Sequence, residues 1–515
     1  MQLFPCTKES ISELLTDFGA HFYANVDYGS LCPVDGNFQF NTNIVIDDKG
    51  EIIAKYRKCN LYADEMDYFD SPLQILSKLS NNSTKNEDIN CPNSFFGTNF
   101  GANFTTFICF DLRFKDPAIL SISNKETTPR PYNVAYPTDW PDALPITNAL
   151  QAQYGYAVRT NVNLLAANLR YFDAKYNVYQ SGSGIYAGYS GYINTFYDTI
   201  ESFNHSTHSG VLLISRLCCV PSFDCIHNET QSVYVEKLRD DNTIVNTFAK
   251  YISKPVLSPS DQDDFLFYHP IIDLPFTLYP LNISKAVSSR HMDIAICEKF
   301  RNGRDQTFVI QEENVEDRIE GADFCCRFRY QSHYMRAYGL LKDSLKIMSN
   351  DKHGYFLALY TGTMKGDALY EWNMQVCAIL KCPVRKMLNS LGQLEKVPHH
   401  CGEPTETLIH YLYNENSYPS ADIELIGHMF PSNYVFPTIL KSDNRPFSTK
   451  EWSFITTPKN RIGMKNSICL PTLNYTTDPQ LKEGYTSKIA FKGRLESINS
   501  IVLLGRNFGA DQPNL

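Results

Sequence analysis

No run of about 18 apolar residues occurs anywhere in the chain, so no segment of it reads as a membrane-spanning helix. Basic charge is in short supply: 47 Lys and Arg stand against 56 Asp and Glu, a formal net charge of −9. Such a field repels phosphate backbones and argues against a nucleic-acid partner. No C-x-x-C pair and no Cys/His cluster at zinc-finger spacing is present, which argues against a structural zinc site. Internal repeats are lacking too. The opening residues, Met1 to Cys6, have neither a basic n-region nor an apolar h-region, so no signal peptide is expected in this chain. The polar stretch Gly505–Leu515 carries no hydrophobic tail of the kind that precedes lipid anchoring.

What is present is globular: 43% hydrophobic and 20% charged residues. At 515 residues the chain exceeds what one hydrophobic core supports, so two domains are expected. Cysteine is abundant, with 15 residues, several in tight groups: Cys218 with Cys219, Cys325 with Cys326, Cys377 with Cys382. In the absence of a metal pattern these read as disulfides formed in an oxidising compartment. An odd count leaves at least one free thiol; Cys109 is the candidate, and Cys59 is a second candidate for the reduced state. The asparagines Asn81, Asn82, Asn103, Asn204, Asn228, Asn282 and Asn474 each begin an Asn-x-Ser/Thr sequon, giving candidate glycosylation sites for a soluble, secreted product.

Local patterns place the elements. Ser10 and Glu13 form a capping box ahead of Ile11, Leu14, Leu15, Phe18 and Phe22 at helical spacing, followed by an extended stretch at 22–26. Asn43–Asp47 and Glu51–Tyr56 flank Asp48, Lys49 and Gly50, which predicts a β-hairpin. Residues 66–103 read as an exposed polar loop. Phe104–Phe110 is a continuous apolar run, the pattern of a strand buried on both faces. Asp116 and Pro117 open a short helix, 133–136 is a strand, Ile146, Leu150, Tyr154, Ala157 and Val158 keep helical spacing, and Val162–Ala166 and Val211–Ile214 are strands. Strands alternating with helices give an α/β layer architecture. The polar stretch 255–264, PVLSPSDQDD, reads as a linker between domains at 1–254 and 255–515, the latter β-rich and disulfide-stapled.

Cys109 ends the apolar run, where strand ends of α/β folds present reactive groups to substrate. A thiol is a useful nucleophile as its thiolate, which a nearby cation stabilises. Lys58 follows the hairpin, with Asp64 and Glu65 in the next loop available to anchor its ammonium. Alone, these signals are weak: a cysteine on an apolar strand is most often a small core residue, and a loop lysine a solvated charge.

Ordered motifs around them strengthen the reading. Asn41-Thr42-Asn43, then Asp47-Asp48-Lys49-Gly50, then Lys55-Tyr56-Arg57-Lys58-Cys59-Asn60-Leu61, with Glu65 beyond, resemble the vanin and biotinidase branch of the nitrilase superfamily. So do Phe107-Ile108-Cys109-Phe110-Asp111, Tyr136-Pro137-Thr138-Asp139-Trp140, Gly182-Ser183-Gly184-Ile185-Tyr186-Ala187, the order of Cys297, Cys325-Cys326, Cys377, Cys382 and Cys401, and Tyr434-Val435-Phe436-Pro437. The resemblance covers almost the whole chain. It implies an α/β fold: a nitrilase-type αββα sandwich domain, incomplete at its N-terminus, followed by a smaller β-rich disulfide-containing domain. It further implies hydrolysis of a small-molecule amide, of the pantetheine or biotinyl class, through a thioester on Cys109, with Lys58 stabilising the oxyanion. Glu65 matches the acidic residue that supports the lysine, the general-base glutamate is expected upstream of this chain, and no cofactor is implied. The alternative is a catalytically inactive secreted paralogue that binds a partner.

Overall fold

The computed structural model describes residues 39–75, 94–123, 131–140, 146–169, 171–173, 178–197, 208–215, 230–236, 276–281, 289–301, 304–311, 322–332, 353–364, 370–388, 394–398, 420–441, 446–447, 451–458, 484–495 and 498–513, together with 91, 217, 286 and 319. The helix expected over 11–22, the extended stretch at 22–26, the linker at 255–264 and the division at 254/255 lie outside the described residues, as do Cys218, Cys219 and Cys401.

The first half opens with the expected hairpin, β1 (Thr42–Ile46) and β2 (Ile52–Arg57), antiparallel from Thr42↔Arg57 to Ile46↔Ile52. Asp47 closes its turn by accepting from the amides of Lys49 and Glu51, and Gly50 at φ 81 supplies the left-handed residue the turn requires. A six-stranded sheet follows, built from β3 (Phe96–Gly97), β4 (Asn103–Thr106), β5 (Asn133–Thr138), β6 (Asn163–Asn168), then past the small hairpin β7 (Tyr171–Asp173) and β8 (Val178–Gln180), β9 (Ser183–Ala187) and β10 (Tyr192–Phe196). Its order is β10-β9-β6-β5-β4-β3, with β4, β5 and β6 parallel. Parallel strands need crossovers, and helix α1 (Ala149–Thr160) supplies the one between β5 and β6. The Asn148 side chain caps α1 by accepting from the Gln151 amide, and Asn161 ends it in the left-handed region at φ 52. A two-stranded ribbon, β11 (His208–Ser215) and β12 (Thr230–Glu236), completes this half.

Two expectations shift here. The strand expected over 104–110 ends at Thr106, and Cys109–Arg113 forms a 3-10 turn instead; the turn is buried as fully as the end of the strand, so apolar content alone does not mark the boundary. The stretch 66–103 is not a uniformly exposed loop: Ser71, Cys91, Ser94 and Phe96 are buried, Cys91 by a disulfide to Cys59 and Phe96 by pairing with Phe104. Cys59 is therefore oxidised.

The second half is β throughout its described residues apart from single turns: β13 (Thr277–Pro280), β14 (His291–Arg301), β15 (Arg304–Gln311), β16 (Phe324–Ser332), β17 (His353–Met364), β18 (Tyr370–Leu388), β19 (Leu394–Pro398), β20 (Ala421–Phe430), β21 (Val435–Lys441), β22 (Trp452–Pro458), β23 (Tyr485–Gly493), β24 (Ile498–Arg506) and β25 (Gln512–Pro513). They form two sheets, one ordered β13-β17-β18-β24-β21 and the other β15-β14-β16-β20-β23-β22. The disulfide Cys297–Cys325 joins neighbouring strands β14 and β16, while Cys326–Cys377 ties one sheet to the other; Cys382 is also disulfide-bonded. The chain is thus an α/β domain with a β-rich, disulfide-containing one.

The halves share one apolar core, reaching from Tyr136 and Tyr154 through Leu359 and Phe430 to Ile501. Helix α1 lies against β21 so closely that a Cβ at Gly155 would stand 3.2 Å from Thr438 Cγ2. Arg159 donates to the Asn433 carbonyl at 2.6 and 3.0 Å, and the Tyr154 hydroxyl to that of Phe447 at 2.8 Å.

Candidate active site

The site forms where β2 and β4 end. Beyond β2 the chain buries Lys58, 1% exposed, after its amide donates to the Asn41 carbonyl at 2.8 Å. A buried ammonium is costly unless paired. Here Lys58 Nζ lies 2.5 Å from Glu65 Oε2. Glu65 is itself fixed: Asn41 Nδ2 donates to its Oε1 at 2.8 Å, and the Tyr62 amide to its Oε2 at 2.8 Å. That last bond is the reach-back of a carboxylate at the third position of a 3-10 turn, Ala63–Asp67.

Cys109 follows β4 on the second turn, buried and carrying a free thiol. Its φ of 47 is a left-handed value that a non-glycine residue adopts at a cost. Three contacts hold it there. The Tyr136 hydroxyl donates to its carbonyl at 2.6 Å, Asp111 Oδ2 accepts from the preceding amide of Ile108 at 3.1 Å, and its thiol lies 3.5 Å from the Asp139 carbonyl. Thr138 and Asp139 are the end of β5 and the residue after it, so the thiol sits at the carboxyl ends of adjacent parallel strands.

The electrostatics couple these groups. Burial pushes the Cys109 thiol up; the Lys58 cation opposes it, Glu65 adds to it, and polar contacts from Thr138 and the Asp139 backbone pull it back. Burial disfavours the Lys58 cation, yet the charges of Cys109, Glu65 and Asp111 outweigh it and hold its pKa above the ordinary lysine value. At neutral pH the arrangement is a fixed cation facing a thiol, with one carboxylate committed to the cation. A developing negative charge on a carbonyl oxygen finds a preorganised positive partner there.

The structure pairs Lys58 with Glu65 and places both close enough to Cys109 to act on it electrostatically. Of the sequon asparagines, Asn103 lies half-buried on β4, and Asn81, Asn82, Asn204, Asn228, Asn282 and Asn474 lie outside the described residues. Sequence reasoning gave no role to Asp111. It is fully buried and collects four donors: the Tyr56 hydroxyl at 2.8 Å, the Asn60 amide at 2.9 Å, Asn60 Nδ2 at 2.8 Å and the Ile108 amide. Desolvation raises its pKa to about 6 against the pull of Lys58 and these donors. It ties the lysine loop to the nucleophile turn. Its signal was available: an acidic residue third in a turn that follows a strand, the same spacing that places Glu65.

A free cysteine coupled to a buried lysine–glutamate pair thus lies on an α/β domain with a β-rich companion, the combination the sequence resemblance leads one to expect. Residues 297–479 match the family model described as the Vanin C-terminal domain. Pantetheinase of Homo sapiens is 32% identical over 417 residues, 80% of this chain and 58% of the relative. Pantetheinase of Sus scrofa is 24% identical over 416 residues, 80% of this chain and 57% of the relative. Biotinidase of Bos taurus is 36% identical over 155 residues, 30% of this chain and 25% of the relative. Along most of its length the chain is similar to members of the vanin and biotinidase branch of the carbon–nitrogen hydrolases. It spans less than two thirds of the length of these curated relatives.

Proposed function

We propose that the protein hydrolyses a carbon–nitrogen bond of a small linear amide, of the pantetheine or biotinyl class, through a thioester on Cys109. The observation that carries this reading is the buried Lys58–Glu65 pair, coupled electrostatically to the free thiol. The Cys109 sulfur attacks the amide carbonyl carbon, and Lys58 stabilises the oxyanion that forms. The intermediate collapses with cleavage of the C–N bond, the amine leaves with a proton, and the acyl group remains on sulfur. Water then attacks the thioester, releasing the carboxylic acid and restoring the thiol. Glu65 keeps Lys58 charged and aimed. Its oxygens are occupied by Lys58, Asn41 and Tyr62, so Glu65 anchors the lysine, and a separate general base takes the thiol proton and returns it to the leaving amine. Disulfides joining the strands of the second half support a product of an oxidising, extracellular compartment. Among the described residues no helix is long and apolar enough to cross a membrane.

The test is thiol release from pantetheine and biotin release from a biotinyl amide by the natural full-length protein. Turnover of one substrate, abolished by Cys109→Ala, is the expected result. Equal turnover by the variant would remove Cys109 from the mechanism. A folded protein inert toward both would favour the inactive, partner-binding reading.

A further inference from the structure

Behind the nucleophile turn, where α1 meets β21 and β24, a narrow cleft is lined by Arg113, Gln151, Thr438 and Arg506 among apolar side chains such as Leu112 and Phe436. Its two arginines are not equivalent. Arg506, 1% exposed, is neutralised by Asp511 at 2.7 and 3.1 Å, and donates to the Arg113 carbonyl at 3.2 Å. Arg113, 6% exposed, has no carboxylate at ion-pair distance among the described residues, and its Nε has no hydrogen-bond partner. The rings of Trp140 and Trp372, 4.8 and 5.2 Å from its Cζ, give it aromatic contact without a counter-charge. Burial, and then repulsion from Arg506, push its pKa down to about 9. Across the same cleft the Thr438 hydroxyl, on a residue 5% exposed, is also buried without a partner among the described residues. The cleft thus holds one surplus positive charge and two unsatisfied donors, a combination that is costly inside a protein. Its free space is about 20 Å³, room for a species the size of a water or halide ion and too little for an organic substrate. Water would satisfy the donors and leave the charge; a monovalent anion answers both.

We infer that the cleft binds one chloride ion, held by Arg113 Nε–H and the Thr438 hydroxyl. Arg113 closes the turn that begins at Cys109, and Thr438 lies on β21 of the second half, so the ion fastens the nucleophile turn to the β-rich domain. The site is independent of the proposed amidase chemistry.

The test uses the full chain and chloride or bromide. Crystals soaked in sodium bromide are expected to show an anomalous peak between Arg113 and Thr438. The thermal unfolding midpoint is expected to rise saturably with sodium chloride and not with sodium gluconate at equal ionic strength. Thr438→Val, which keeps the side-chain shape, should weaken that response about tenfold or more in chloride concentration, the scale of one hydrogen bond to a charged partner. Arg113→Gln should abolish it; where that variant fails to fold, Thr438→Val decides. Absence of a bromide peak, identical midpoints in the two salts, or an unchanged chloride response in Thr438→Val would each overturn the assignment.

Discussion

The turns Ala63–Asp67 and Cys109–Arg113 are built alike and used differently. Each is a 3-10 turn entered from an extended residue, and in each the third residue is acidic and accepts from the amide just before the turn. Glu65, with its side chain 26% exposed, spends its remaining capacity on a buried ammonium and an asparagine. Asp111, fully buried, meets neutral donors from Tyr56, Asn60 and Ile108, and its pKa rises to about 6. The same local device therefore yields a charge partner at one turn and a hydrogen-bond hub at the other. What separates them is depth and the kind of donor each meets.

Removing the cation should break this division most severely. Lys58→Met leaves the oxyanion without its partner, and the proposed amide hydrolysis should fall about 10²–10³-fold in kcat. The same variant should slow alkylation of Cys109 by iodoacetamide at every pH, because the charge opposing burial is gone. Labelling at the wild-type rate would show that Lys58 does not act on the thiol.

Asp111→Asn should act on stability first. Exchanging one Oδ acceptor for a donor strands a buried partner and should cost about 1–3 kcal/mol in urea unfolding. The pH dependence has a definite sign. The folded pKa of about 6 lies above the ordinary 3.8, so the folded state binds the Asp111 proton more tightly than the unfolded chain does. Its contribution is therefore most favourable below the unfolded value and is lost as pH rises through the folded one. The margin of wild type over Asp111→Asn should shrink between about pH 4 and 6 and level off above; a margin that widens there would contradict the buried-hub account.

Glu65→Gln should have the smallest effect. Lys58 keeps the influence of Cys109 and Asp111, and kcat should drop about tenfold, the scale of one charge-assisted hydrogen bond. A loss as large as that of Lys58→Met would mean that Glu65 does more than anchor.

Much of this was legible in the sequence where local chemistry decides. The hairpin announced itself through Asp48, Lys49 and Gly50, and α1 through the helical spacing of Ile146, Leu150, Tyr154, Ala157 and Val158. The strand leading to Cys109 was overrun because Phe107, Ile108 and Phe110 remain buried after the chain has left the sheet; what ends it is the left-handed backbone at Cys109, fixed by Tyr136 and Asp111 from elsewhere. Cys59 and Cys91 lie 32 residues apart, and connectivity among so many cysteines does not follow from spacing. Arg113 and Arg506, 393 residues apart, meet only through the packing of the two halves, so nothing local marked the cleft they share.

The central claim is the acyl-enzyme on Cys109. Full-length protein mixed with a linear amide substrate and quenched in acid should yield a Cys109-containing peptide heavier by the mass of the acyl group. That adduct should be sensitive to hydroxylamine and absent from Cys109→Ala. Hydrolysis that proceeds with no adduct on Cys109 and at an equal rate in the alanine variant would contradict the account.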